Sequence, residues 1–118
     1  MIENLTQAQI AGIMEALPVD ITFIDENDTV KFWNKHETRV MKRPASALGR
    51  DVRKCHPPKS MDKVNQVISD LKSGRRDCVE SCIELKGRKF NIKNLAVRDN
   101  KGKYLGIMEV DQDITDIK

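Results

Sequence analysis

The first apolar repeat in the chain has the spacing of a helix. Four apolar residues recur at intervals of three and four positions: Ile10, Ile13, Met14 and Leu17. Thr6 and Gln9 fit a capping box in front of them, and Pro18 ends the pattern because it has no backbone N–H to donate. We therefore predict an amphipathic N-terminal helix within residues 1–16.

The next segments have the period of strands. Residues 20–25 and 29–34 are rich in β-branched and aromatic residues, and the polar turn 26–28 separates them, so they predict a hairpin. Residues 35–56 are less regular and are interrupted by proline and glycine.

The second half of the chain combines one helix with three strands. Gly74 fits the C-terminal cap of a helix over about residues 59–73. Its apolar stripe comprises Met61, Val64, Val67, Ile68 and Leu71. Strands are predicted at 78–85, 88–98 and 104–114, and the first of these alternates strictly between two faces. The order predicts an α+β fold with a five-stranded antiparallel sheet, helices packed on one face and an additional N-terminal helix.

Composition and charge narrow the class of protein. The 118 residues are 39% hydrophobic and 33% charged with a net charge of +3, and the basic residues are scattered among acidic ones. A nucleic-acid surface would show a denser basic stripe with aromatics, and the chain has no apolar run long enough for a membrane span. The three cysteines, Cys55, Cys78 and Cys82, form no Cys-x-x-Cys motif, and free thiols fit a reducing compartment. We expect a cytoplasmic protein that binds neither nucleic acid nor membrane.

Five local motifs in this order resemble the PAS family. They are Leu17–Asp25, Val30–Asn34, Ala47–Val52, Tyr104–Gly106 and Asp113–Thr115. The resemblance implies a PAS domain over residues 17–118, with residues 1–16 serving dimerisation and signal transfer. The segments 49–52, 55–60, 97–99 and 112–115 also resemble PAS modules attached to hemerythrin-like regions in bacterial and archaeal proteins.

The resemblance implies a sensory module that binds a small ligand or cofactor. Such a module would relay its state through its termini, a homodimer interface and a signalling partner. A ligand-free module for dimerisation and a haem-based gas or redox sensor are the alternatives. Flavin photochemistry is not expected, because Val52 stands where light-sensing PAS domains carry their reactive cysteine. An enzyme is not expected either, because the sequence has no phosphate-binding glycine loop and no nucleophile motif.

Candidate site residues come from the predicted inward faces. The expected pocket is lined by Phe23, Phe32, Val64, Ile68, Ile83, Phe90 and Ile92. If haem is bound, His56 is the first candidate for the iron ligand and Cys55 the second. Otherwise His56 is a loop residue hydrogen-bonded near the start of the helix, and His36 is expected at the surface. Glu109 and Asp111 share one strand face, and a slip of one residue decides whether they point into the pocket or outward.

Overall fold

The computed structural model describes residues 1–35, 39 and 41–117, and it has the predicted α+β architecture. The helices are α1 (Gln7–Ala16) and α2 (Met61–Ser73), and short 3-10 turns occur at Ile2–Asn4, Ala45–Ala47, Val52–Cys55 and Pro58–Ser60. The strands are β1 (Asp20–Asp25), β2 (Val30–Trp33), β3 (Cys78–Leu85), β4 (Arg88–Arg98) and β5 (Tyr104–Asp113). His36 lies outside the described residues.

The start of α1 and the end of α2 use the capping residues that the sequence indicates. The Thr6 hydroxyl accepts a hydrogen bond from the Gln9 backbone N–H at 3.0 Å, and the Gln9 side chain accepts one from the Thr6 N–H at 2.9 Å. Gly74 ends α2 in the left-handed conformation with φ 81°, and its N–H donates to the Leu71 carbonyl at 3.3 Å. Local chemistry therefore fixes the start of α1 and the end of α2.

The five strands form one antiparallel sheet with the order β2-β1-β5-β4-β3. The first and last strands of the chain are therefore neighbours at its centre. In the β1–β5 and β5–β4 pairings, Glu109 of β5 stands opposite Thr22 of β1 and Asn94 of β4. Directly opposed residues point to the same face, so these three polar side chains share one surface of the sheet.

The two faces of the sheet are covered by different helices. The inner face packs under α2, and the buried core between them contains Ile24, Val30, Trp33, Ala47, Val52, Ile68, Leu71 and Ile107. The outer face lies next to α1, where Ile10 and Met14 line an apolar groove together with Phe23 and Met108. No residue of α1 is fully buried. The N-terminal helix therefore covers the outer face only loosely.

Asn34 ties α1 to the sheet. Its Oδ1 accepts from the Ile21 N–H at 2.7 Å, and its Nδ2 donates to the carbonyls of Met14 at 2.8 Å and Val19 at 3.1 Å. The side chain is fully buried, so replacing it would strand several backbone groups. The end of β2 thus fixes the junction between α1 and β1.

Among the described residues, neither helix has the length and apolar character that crossing a bilayer requires.

Candidate functional site

A cavity of about 280 Å³ lies between α2, the inner face of the sheet and the turns at residues 43–60. Most of its wall is aliphatic, with side chains from α2 on one side and from β1, β4 and β5 on the other. Its size is just below the range of about 300–1,000 Å³ that is typical of small-molecule sites. It is the natural candidate for a ligand pocket.

Most of the predicted pocket residues meet at this cavity. The lining includes Val64, Ile68, Ile83, Ile92 and Glu109, together with Cys55 and His56. Ile83 is 38% exposed, so it stands at the mouth of the cavity rather than in its interior. Phe90 is buried at 2% exposure but does not line the cavity. It belongs to the packed interior and not to the wall of this cavity, where the sequence placed it.

Phe23 and Phe32 lie on the opposite face from the one expected. Both line the groove under α1, whereas Thr22 and Ile24 of β1 face the cavity. The direction in which the β1 side chains point could not be predicted from the sequence, because β1 is covered on both sides and carries apolar residues at successive positions. Register with β5 decides it, since Phe23 pairs with Met108 and Thr22 pairs with Glu109.

Glu109 points inward, and an arginine holds it there. The Arg43 Nη2 lies 2.5 Å from the Glu109 Oε2, and the Arg43 Nε donates to the Thr22 Oγ1 at 3.0 Å. The two charged side chains are 23% and 20% exposed and line the same cavity. An ion pair therefore forms one polar end of a mostly aliphatic pocket.

Asp111 lies on the same face of β5 as Glu109 but does not line the cavity. Its carboxylate is 3.6 Å from the Arg39 Nη2, and both side chains are almost completely buried. Arg39 also donates to the Thr22 hydroxyl at 3.2 Å and to the carbonyls of Ile21 and Asn34 at 3.3 and 3.2 Å. Arg39 thereby connects the polar end of the pocket to the start of β1.

Burial raises the pKa of Asp111 to about 7, and the charge of neighbouring Glu109 adds to the effect. The guanidiniums of Arg43 and Arg39 act in the opposite direction. Burial likewise lowers the pKa of Arg39, helped by the like charge of Arg43. Ionised and neutral forms of Asp111 are therefore both accessible near neutral pH.

Sequence reasoning missed Arg39 and Arg43. They lie in the irregular stretch before Pro44, where no motif marks them. The only signal was indirect: carboxylates on an inward strand face need partners, because an unpaired buried charge is costly. That requirement does not identify which of 21 lysines and arginines supplies them.

His56 and Cys55 both line the cavity. The His56 Nδ1 is 3.0 Å from the Val52 carbonyl, which leaves Nε2 open to a ligand, while Cys55 is exposed. The imidazole is thus suited to bind iron. The cavity volume of about 280 Å³ does not suit haem. Drug-sized ligands already occupy pockets of about 300–1,000 Å³, and haem, a tetrapyrrole with two propionates, is larger than such ligands. Across the described ranges, no cluster of three metal-binding side chains occurs.

The comparisons with known proteins agree with this architecture. The profile of the PAS domain family matches residues 10–115. The chain belongs to the PAS domain family. In this PAS domain the cavity lies between the sheet and the central helix, on the side away from α1. A search of the curated proteins found no match.

Solved structures give the same fold. The C-terminal domain of a Streptococcus mutans protein is 36% identical with a TM-score of 0.86, and the alignment covers 93% of this chain and 86% of that one. A sensory box sensor histidine kinase from Vibrio cholerae is 14% identical with a TM-score of 0.62, with 92% of each chain covered. The Aer2 receptor from Vibrio cholerae, described as a dual PAS-haem oxygen sensor, is 21% identical with a TM-score of 0.57 over 82% of this chain and 95% of that one. The similarity to these last two structures shows that they share the fold.

Proposed function

We propose that this PAS domain binds a small molecule in the 280 Å³ cavity and transmits its occupancy to the two chain termini, without catalysing a reaction. The observation that carries the proposal is the position of Thr22 and Glu109. They line the cavity from β1 and β5, the two strands that lead to the termini. A ligand with different affinity for two arrangements of these strands would shift the population between them.

Hydrogen bonds and ion pairs link each of the two strands to the chain terminus next to it. On β1, Thr22 follows Ile21, whose N–H is held by Asn34, and Asn34 also holds α1 at Met14. On β5, Glu109 precedes the exit segment, where Asp113 pairs with Arg88. The pairs with Arg88 and with Thr115 lower the pKa of Asp113 to about 2, so this junction stays charged. A signalling partner would contact either end.

Filling the cavity tests the proposal. The protein is purified from its native host or an extract-supplemented culture, and native mass spectrometry measures any retained molecule. Val64→Trp projects an indole into the cavity from α2, and we expect it to lose the retained mass. Ser69→Trp, on the exposed part of the same helix, should keep it. Two results would argue against the proposal. The wild-type protein could hold no ligand after exposure to host extract, or Val64→Trp could still retain the bound molecule.

The second candidate function is homodimerisation through α1 and the outer face. The groove there is apolar. Phe32, which lines it, is 36% exposed, and Ile13 of α1 is 47% exposed. A second copy fits best, because apolar Ile13 and Phe32 are both exposed and two copies can cover these residues symmetrically. Light scattering checks it: removal of residues 1–16 or Ile13→Lys should yield monomers, and Ser69→Lys should not. A monomeric wild-type protein at high concentration would exclude the dimer.

A further inference from the structure

The polar end of the cavity is a preformed ion pair rather than a single charge. Arg43 and Glu109 contact each other at 2.5 Å, and the Arg43 Nε is occupied by Thr22. The pair is partly exposed to the cavity, with 23% and 20% of the side chains accessible. A ligand reaching this end meets a strong donor and a strong acceptor next to each other.

The groups behind the pair leave little room for another charge. Arg39 adds a second guanidinium, while Asp111 and Asp20 add two carboxylates that act on Arg39. Burial raises the pKa of Asp111 and so favours its neutral form over another buried charge. A ligand carboxylate would be placed beside Glu109, and a ligand ammonium would be placed beside Arg43. Either would bring a like charge into a partly desolvated ion pair.

Asn94 extends the same surface. It stands opposite Glu109 on β4, shares its face and lines the cavity. Its amide supplies both a donor and an acceptor, so it matches a ligand that carries both. Aliphatic residues such as Val64, Ile68 and Ile107 form most of the remaining wall, which also includes His56 and Lys63.

We propose that the cavity selects a small, neutral, mostly apolar molecule that carries an amide-like group, with a hydrogen-bond acceptor next to a donor. The ligand's acceptor faces the Arg43 guanidinium and its donor faces the Glu109 carboxylate. Its apolar body lies against α2. This inference rests on the proposed ligand-binding function and specifies the class of ligand.

Three probes with one body and three head groups test the inference. They are 4-ethylbenzamide, 4-ethylbenzoate and 4-ethylbenzylamine, titrated into the full chain at pH 7 and followed by two-dimensional amide NMR. We expect the amide to bind at least about tenfold more tightly than either charged probe. The shifted resonances should include those of Asn94 and Glu109.

Two variants change the charge at the polar end in opposite directions. Glu109→Gln leaves Arg43 without its carboxylate, so the benzoate should gain on the amide. Arg43→Gln leaves Glu109 without its guanidinium, so the benzylamine should gain instead. Lys93→Gln is the control, because Lys93 lies in an exposed pair with Glu80 at 3.8 Å and should leave the ranking unchanged.

The outcomes separate the ligand class from the function. A charged probe that binds best to the wild type, equal binding of all three, or a ranking unaffected by both variants overturns the proposed class. Absence of binding by all three probes also overturns it. The proposed function has its own readout in the mass retained from host extract, so it can survive any of these results. If either variant unfolds, the ranking on the wild-type protein decides alone.

Discussion

The carboxylate of Asp111 lies 3.6 Å from the guanidinium of Arg39, with the two side chains 3% and 0% exposed. Within the described part of the chain, neither Asp111 oxygen has a hydrogen-bond partner. Glu109 lies two residues away on the same face and adds a like charge. The Arg39 guanidinium, which is shared with Thr22 and backbone carbonyls, does not compensate fully, so the neutral form of Asp111 is favoured more than in water.

This arrangement predicts a stability that falls as the pH rises. The pKa of Asp111 is about 7 in the folded chain against 3.8 for an ordinary aspartate, so between these values the folded state holds a proton that the unfolded state has lost. The free energy of unfolding therefore decreases from about pH 4 to about pH 7. The loss from this one group is at most about 4 kcal/mol.

Asp111→Asn isolates that contribution. The amide resembles the protonated acid, so the variant should match the wild type near pH 4 and be the more stable protein at pH 8. Urea unfolding at several pH values measures the difference. Asp99→Asn, in an exposed turn, should show no rise of this kind. A wild-type advantage that grows with pH would mean that Arg39 stabilises the ionised carboxylate and that the assigned direction of the pKa is wrong.

Gly106 leaves no room for a side chain between β5 and β1. A Cβ on this residue would lie 2.1 Å from the Ile24 carbonyl oxygen and 2.9 Å from the Phe23 ring, and its φ of 150° is unfavourable for other residues. Gly106→Ala should therefore lower the free energy of unfolding by about 3 kcal/mol or more. Gly12→Ala is the matched control. It has open space around it within α1 and should stabilise by about 0.5–1 kcal/mol. A loss below about 1 kcal/mol for Gly106→Ala would show that the two strands separate easily.

Two residues that the sequence groups together should differ in their contribution to stability. Phe90 is 2% exposed and Ile83 is 38% exposed, although both were expected in one pocket. Phe90→Ala should cost about 3–5 kcal/mol, whereas Ile83→Ala should cost about 1 kcal/mol. Thermal or denaturant unfolding measures both. Equal costs would place Ile83 in the packed core and contradict its position at the mouth.

The elements of the fold were predictable because their signals are local. Thr6 and Gln9 cap α1, Gly74 ends α2, and the strict alternation in β3 gives its two faces correctly. Each signal depends on residues within a few positions of one another. Such local signals do not specify the spatial order of the strands, which only the resemblance to the PAS family implies.

The facing of the central strands was not predictable for a physical reason. In β1 both faces are covered, so Ile21 to Ile24 are apolar or buried without alternation. In β5 the inward position of Glu109 depends on Arg43, which is 66 residues away in sequence. The polar end of the cavity therefore arises from long-range pairing, which a single sequence does not reveal.

The size of the cavity and the chemistry of His56 bear in opposite directions on haem binding. The His56 Nδ1 is engaged by the Val52 carbonyl at 3.0 Å, which would orient Nε2 toward an iron, but the cavity of about 280 Å³ lacks the room for a macrocycle. The small volume of the cavity outweighs the suitability of the His56 imidazole as an iron ligand. Opening the cavity would separate α2 from a close-packed core. Haemin added to the purified protein should therefore produce no sharp Soret band.

His56→Ala and Cys55→Ser complete the test of the haem alternative. If the wild type shows no band, the variants should behave alike toward haemin, and His56→Ala should cost only about 1 kcal/mol of stability through its loop hydrogen bond. A sharp band that is lost in His56→Ala would make the imidazole an axial ligand and would require a cavity that opens. Loss in Cys55→Ser alone would assign that role to the exposed thiolate. Either result would overturn the proposal of a small amide-like ligand and identify the domain as a haem sensor.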